Sequence, residues 1–370
     1  QAWPNGWKDI DPFESYRAIF NGTVSAFENK ELIFTHGQNT GDQSINNMVI
    51  HQLPRVAKGW NTHGLTQKQC DAYYMNDGTD CPGKDKEINR GDGSERMSGY
   101  VTKEDVEAGR YKPLSEGVSL QYANREPRFY ASVAYNGDVW NLLNSNKNAG
   151  EPQNIQVFYY RGDGNGYTNS MFWLRTGIGV KKFVHPDDMG KGDNNEELIK
   201  KKVEPAIRYA EVLLIYAEAL NELNGQYDIP SWDGNKTHII KRDINEMKKG
   251  IRPIRIRAGV PDYTQEEYDD PIEFRKKLKR ERQIELMAEG QRYFDLRRWK
   301  DAEVEESKKN YGCNFYMSDV EEQREQFYTP IEIADLPTAF SRKLYFWPIS
   351  HDELKRNKRL TQNPGWTYND

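Results

Sequence analysis

Glu204-Pro205-Ala206-Ile207-Arg208-Tyr209-Ala210-Glu211-Val212-Leu213-Leu214-Ile215-Tyr216-Ala217-Glu218-Ala219-Leu220-Asn221 is the stretch on which the fold turns. Pro205 suits the first turn of a helix, where its missing N–H would have had no intrahelical partner. Ile207, Ala210, Leu214, Ala217 and Leu220 then recur at helical spacing, and Leu213, Tyr216 and Leu223 widen the apolar stripe. Asn224-Gly225 supplies the stop. So wide a face, built with small alanines, belongs to a helix packed between neighbours, as in stacked helical hairpins.

Downstream, residues 241–257 read as a shorter helical segment broken by Gly250 and Pro253. Residues 272–298 read as one long charged helix that buries Phe274, Leu278, Ile284, Met287 and Phe294. That makes one full hairpin, fewer than the roughly three repeats a stack needs, so the chain is expected to lack packing partners for these helices. Residues 1–204 read as a loop-rich lobe and 205–370 as the helical scaffold with a C-terminal segment. In the lobe, Phe13–Phe20 and Leu65–Tyr74 are short helical candidates, the second capped by Thr66. Strands are expected at 31–35, at Phe129–Tyr135 before an Asn136-Gly137 turn, and at 156–160, with weaker ones at 172–174 and 180–184. Residues 37–61 and 76–98, which carry Asn39, Gly83, Gly91 and Gly93, are polar and long enough to be binding loops.

Composition narrows the class. Lys and Arg total 52 against 57 Asp and Glu in 370 residues, a net charge of −5, which offers no general attraction to nucleic-acid phosphates. The 9 Trp, 22 Tyr and 14 Phe are more than a disordered chain would carry. No run approaches the ~20 apolar residues of a membrane-spanning helix. Cys70, Cys81 and Cys313 show no zinc spacing; Cys70 and Cys81 could pair, and three free thiols are as good a reading. The opening Gln1-Ala2-Trp3-Pro4 fits a processed secretory protein or a fragment.

No motif carries catalysis. Phosphate-loop, HExxH and GxSxG patterns are absent, and Gly162-Asp163-Gly164-Asn165-Gly166 has the wrong spacing for a nucleotide fingerprint and reads as a surface loop. Asp77, Asp80, Asp92 and Asp163 do not fit an EF-hand, although a looser calcium site stays open. Glu281, Glu285 and Glu289 share one helix face, but without a neighbouring His they read as an ion-pair network with Arg280, Arg282, Arg292, Arg297 and Arg298, not as a metal site. His36, His51 and His63 share the polar loops without metal spacing. A glycosidase pair of carboxylates cannot be singled out among 57 acids. No cofactor is expected.

The aromatic residues give the stronger lead. Trp60, Tyr73, Tyr74, Trp140, Tyr159, Tyr160, Tyr167 and Trp173 sit in or beside loops. A flat ring can stack on the C–H face of a sugar while Asn, Asp and Arg bind its hydroxyls. Trp60, Asn61, Tyr74, Tyr167 and Trp173 are the candidate ligand contacts, with Asn39, Asn46 and Asn47 in the same region as Trp60.

Seven further blocks run in order. They are Glu126-Pro127-Arg128-Phe129-Tyr130 to Tyr135-Asn136-Gly137; Lys182-Phe183 to His185-Pro186; Ile207-Arg208-Tyr209-Ala210-Glu211 to Leu220-Asn221; Ile256-Arg257-Ala258-Gly259-Val260-Pro261; Glu281-Arg282 through Glu285-Leu286 to Phe294-Asp295-Leu296-Arg297-Arg298-Trp299; Phe346-Trp347-Pro348-Ile349; and Gln362-Asn363-Pro364-Gly365-Trp366. Over roughly residues 120–370 the chain resembles the SusD/RagB-like glycan-capture lipoproteins of Bacteroidetes outer membranes. The resemblance implies a mainly α fold, a tetratricopeptide-like scaffold of helical hairpins with a loop-rich lobe containing a few short strands. It implies binding without catalysis: capture of oligosaccharide, or of peptide in some members, by a lid over a TonB-dependent (SusC-like) transporter on the extracellular face of the outer membrane. It also implies attachment by an N-terminal lipid that this chain does not include, and N-terminal helical hairpins that are missing here. The family's ligand residues form no transferable motif, so the five candidates rest on the loop-aromatic argument. A glycoside hydrolase is the alternative of another class.

Overall fold

The computed structural model describes residues 10–36, 44–84, 96–143, 154–168, 171–190, 198–334, 336 and 338–367. Asn39, Gly91, Asp92 and Gly93 lie outside these residues. Within them the chain is mainly helical, and its strands, two to five residues long, pair only as two-stranded ladders.

The helices Tyr209–Asn221, Ile244–Ala258 and Pro271–Glu285 form the scaffold. Ala210, Leu214, Ala217 and Leu220 are buried against Met247, Ile251, Ile254, Phe274 and Leu278, which is the apolar stripe that the spacing predicts. Val212, Ile215 and Tyr216 instead remain exposed on the other flank, and Ile207, expected in the stripe, is exposed and precedes the helix. The Ile244–Ala258 helix is not broken. A Cβ on Gly250 would sit 2.4 Å from the Leu213 carbonyl oxygen and 3.0 Å from the Ala217 Cβ, so this glycine is what lets the two helices cross so closely. Pro253 lies inside the helix on its exposed side, where water can take up the carbonyl that the ring leaves without a donor.

Pro205 is not in a helix. It lies in the strand Glu204–Arg208, which runs antiparallel to Leu32–His36 with Thr35 opposite Pro205. The helix begins at Tyr209, where the Glu31 carbonyl and carboxylate accept from the Tyr209 and Ala210 amides at 2.7 and 3.1 Å. The long helix expected over 272–298 is two, Pro271–Glu285 and Gln291–Arg298. Ala288 and Gly290 take left-handed φ values of 61° and 80°, incompatible with a continuous helix. The carbonyls freed at the break have donors: Lys182 Nζ reaches Met287 O at 2.8 Å, and Arg208 Nη2 and the Tyr16 hydroxyl reach Glu285 O at 2.7 and 2.9 Å.

Upstream, Gln67–Ala72 is helical with the Thr66 hydroxyl accepting from the Gln69 amide, as expected. Phe13–Phe20 contributes only the helix Pro12–Arg17. Phe129–Tyr135 is not a strand: Pro127–Ser132 is a helix opened by its proline, and only Val133–Ala134 is extended, paired with Gly179–Val180. The Asn136-Gly137 turn leads to Asp138–Asn141, whose partner is Asn154–Val157, so it links two different ladders. No strand forms over 172–174. Of the two readings left open for the cysteines, the unpaired one holds. All three thiols are free and buried, and Cys81 Sγ donates to the Asp71 carbonyl at 3.3 Å.

One core gathers lobe residues from Tyr16 to Val184, joined by Ile284, Met287, Cys313 and Phe327; a second holds the scaffold helices. Between the scaffold helices, Tyr227–Pro230 and Thr237–Ile240 form a hairpin in which all eight residues are exposed, with Trp232 at its tip 99% exposed.

The row Glu281, Glu285 and Glu289 is an ion-pair network, but its partners are not the arginines beside it in sequence. Arg282 pairs with Asp295, Arg280 with Asp80, and Arg298 with Glu218. The row is met by residues from four other segments. Arg128, fully buried, donates to Glu126, Glu281 and Glu285 at 2.8, 2.7 and 2.9 Å. Arg208 bonds Glu285 and Glu289, each at 2.7 Å, and Arg255 bonds Glu281 at 2.9 Å. Arg257 bonds Glu285, and Lys182 bonds Glu289 at 2.6 Å. Burial alone would raise all three carboxyls. Arg257, Arg208 and Arg128 overcome it and hold Glu285 well below the usual carboxylate range, and Arg128 with Arg255 lowers Glu281. Glu289 is likewise lowered by Arg208 and Lys182, while burial pushes the Lys182 ammonium down to about 8 against the pull of Glu289.

Arg128→Met takes a cation from three buried carboxylates, leaving Glu126 without an ion-pair partner among the described residues, and is expected to destabilise the fold by about 3–5 kcal/mol, read from denaturant unfolding. The lowered carboxyls give stability that is present above their unfolded value of 4.5 and lost as pH falls through their folded values, because the unfolded chain then binds more protons. Unfolding free energy should therefore fall below pH 4.5. Glu289→Gln should make that slope shallower, by up to about 1.4 kcal/mol per pH unit.

Candidate functional site

Of the expected contacts, Trp60 is the ring that faces solvent. It is 39% exposed on the loop that follows the helix Ile45–Gln52, held by its amide donating to the Ile50 carbonyl at 2.8 Å. His51 meets its ring edge-on at a centroid distance of 4.7 Å, and Phe172 lies 6.0 Å away, tilted by 33°. The Arg55 guanidinium sits 5.5 Å from the Phe172 centroid, and Met171 beside it is 75% exposed. The exposed Trp60 ring and the half-buried Phe172, flanked by a cation and an imidazole, form a shallow aromatic platform.

Asn61 belongs to this site as a brace. It is buried, adopts φ 51°, and its side-chain amide donates to the Asn165 carbonyl at 2.7 Å. The Asn165 side chain in turn accepts from the Arg55 amide at 2.8 Å. These two bonds tie the Trp60 loop to the Gly162–Gly166 loop, which on sequence was an isolated turn. His51 and His63 are both lowered from the ordinary imidazole value. Burial lowers His51, and burial together with His51 pushes His63 down to about 4. His51 Nδ1 lies 2.6 Å from the Thr62 hydroxyl, and His63 Nδ1 lies 3.3 Å from Gln52 Nε2.

The other candidates fall elsewhere. Tyr167 is half-buried and meets Trp173 edge-on at 4.7 Å, and Trp173, 5% exposed, packs on Phe315 at 4.6 Å under the Arg175 guanidinium. Tyr74 does not reach the surface. Its hydroxyl bonds Tyr263 at 3.0 Å, and the Arg280 and Arg255 guanidiniums lie 3.8 and 4.9 Å from its ring centroid. Tyr74 is a core residue. Phe172, His51, Arg55 and Asn165 were not singled out as ligand contacts from sequence. Nothing local marks Phe172 and Asn165, because they meet the Trp60 loop only through contacts over about a hundred residues, and His51 and Arg55, though close in sequence, look like ordinary loop residues until Trp60 and Phe172 are beside them. Among the described residues no cluster of three His, Cys, Asp or Glu could hold a metal ion.

The SusD family model matches residues 30–366, and the chain belongs to that family. Its fold is that of a SusD-like protein of Bacteroides fragilis, with 25% identity, a TM-score of 0.65, and coverage of 98% of this chain and 59% of that one. A second structure, a SusD-like carbohydrate binding protein of Bacteroides fragilis, aligns at 22% identity with a TM-score of 0.59, over 95% of this chain and 58% of that one. The chain thus spans somewhat under three fifths of the length of these relatives. A comparison of the sequence with curated proteins finds no match.

Asn61→Ala removes a buried donor at a left-handed position and should destabilise by about 1–3 kcal/mol. Hydrogen exchange of the amides in 161–168 should quicken in this variant; unchanged exchange would mean that the two loops are not coupled.

Proposed function

We propose that this protein captures an oligosaccharide at the Trp60–Phe172 platform and presents it to a TonB-dependent, SusC-like transporter barrel at the extracellular face of the outer membrane, without chemical change to the ligand. The observation that carries this reading is the exposed Trp60 ring beside the half-buried Phe172 on braced loops, in a chain of the SusD family. The carbohydrate-binding relative supports the ligand class. Stacking supplies affinity with little demand on the sugar's hydroxyl pattern, and Arg55 adds a charged donor at the rim. Attachment to the membrane would come from an N-terminal lipid; among the described residues no helix is long and apolar enough to cross a membrane.

Calorimetric titration with a panel of plant, host and microbial oligosaccharides tests the proposal. Trp60→Ala should weaken binding about tenfold or more at an unchanged melting temperature. Trp232→Ala, an exposed ring on the hairpin, should leave binding unchanged. Equal losses in both variants would remove the platform assignment, binding of peptides alone would redirect the ligand class, and product release over time would overturn the non-catalytic reading.

A further inference from the structure

A cleft of about 480 Å³ opens between the helix Gln67–Ala72, the exposed side of Pro271–Glu285 and the first turn of Gln291–Arg298. Eight of its lining residues are Lys or Arg and five are Asp or Glu, an excess of positive charge in a chain whose net charge is −5. A concave surface of opposite sign to the whole molecule concentrates ions of the molecule's own sign. Most of the cations are committed: Lys279 to Asp301 at 2.6 Å, and both Lys68 and Lys308 to the single carboxylate of Glu305.

Two guanidiniums are not saturated. Arg280 is stacked on Tyr74, bonds the Ala72 carbonyl at 2.7 Å and pairs with Asp80, yet its Nη2 is buried without a hydrogen-bond partner among the described residues. Arg292 is 35% exposed at its side chain, and Glu305, at 3.9 Å, is beyond hydrogen-bond reach and already holds two lysines. Burial lowers the Arg292 guanidinium below its usual value even with Glu305, Asp295 and Asp301 nearby, as expected for a cation whose surroundings under-compensate it. A guanidinium offers five donors in a rigid fork that matches a planar or tetrahedral oxyanion.

We propose that this cleft binds an oxyanion, a carboxylate or a sulfate, carried by a small soluble ligand such as an acidic sugar, with the Arg292 fork as its anchor and Arg280 contributing a fixed positive charge in the cleft wall. The site is separate from the aromatic platform and does not depend on it. The stacked, bonded Arg280 is held in place before the ligand arrives, so little side-chain ordering remains to oppose binding.

The test is calorimetric titration of the whole chain with a uronate disaccharide, a sulfated disaccharide, sodium sulfate and a neutral disaccharide, at low and high salt. At least one acidic ligand should bind more tightly than the neutral one, and should weaken as salt rises from about 0.05 to about 0.5 M. Arg292→Gln should lower that affinity about tenfold or more, Arg292→Lys should lower it less, and neither should change neutral-sugar binding or the melting temperature. Tight binding of sodium sulfate would identify the anion itself as sufficient, while preference for a disaccharide would add sugar contacts to the site. Equal affinity for acidic and neutral ligands, or acidic binding unaffected in both Arg292 variants, would overturn the proposal. Loss of neutral-sugar binding in Trp60→Ala tests the platform alone, so the two readings fail separately.

Discussion

The structure depends on a row of buried carboxylates. Glu281, Glu285 and Glu289 sit a helical turn apart, so they line one side of the chain from within the Pro271–Glu285 helix to just past its break. Each would be ruinous alone in a dry interior. Together they are neutralised by Arg128 and Lys182 from the lobe and by Arg208, Arg255 and Arg257 from the scaffold. The network therefore joins segments of the first core to the helices of the second through five cations that converge on the same three acids. Hydrophobic contact between the two cores would tolerate sliding; a guanidinium forked across two carboxylates does not.

The same network explains features that look unrelated. The helix break at 286–290 frees carbonyls, and Lys182, Arg208 and Tyr16, already present for the carboxylates, cap them. The strand Glu204–Arg208 exists to deliver Arg208 in extended form, with Glu31 at the joint serving both Arg208 and the amides that open the next helix. The loop platform stands on this base. Its own bonds, from Asn61 and Arg55 to Asn165, are local and few.

Periodicity made the scaffold legible. The stripe Ala210, Leu214, Ala217, Leu220 needed only helical spacing, and Thr66 announced its helix by capping chemistry. Where reading by rule failed, a tertiary partner had overruled a local preference. Pro205 was claimed by a strand partner 170 residues upstream, and Gly250 was selected by the Leu213 carbonyl on another helix. The acid row was recognised as structural while its partners were misassigned, since a helix sequence displays its own arginines and hides those that fold against it. At the site, Trp60 stood out because a large ring in a polar loop is unusual. Asn61 was visible but its work was not, because an amide reads the same whether it faces a sugar or a neighbouring loop. Tyr74 shows the converse: a tyrosine flanked by polar sequence can still be covered by two arginines.

The hairpin Tyr227–Pro230 with Thr237–Ile240 stands clear of both cores, and its Ser231–Lys236 turn is held only by Asp233, Ser231 and backbone bonds within itself. Such an element is the natural point of entry for a protease, and Lys236 places a trypsin-type cleavage site on it. Cutting there would divide the chain in two without separating the pieces. The helices on either side remain joined through Leu214, Ala217, Met247 and Ile251 and through the carboxylate row. A nicked molecule would migrate as two fragments under denaturing conditions and as one particle in solution, its Trp60 and Gly162–Gly166 loops untouched.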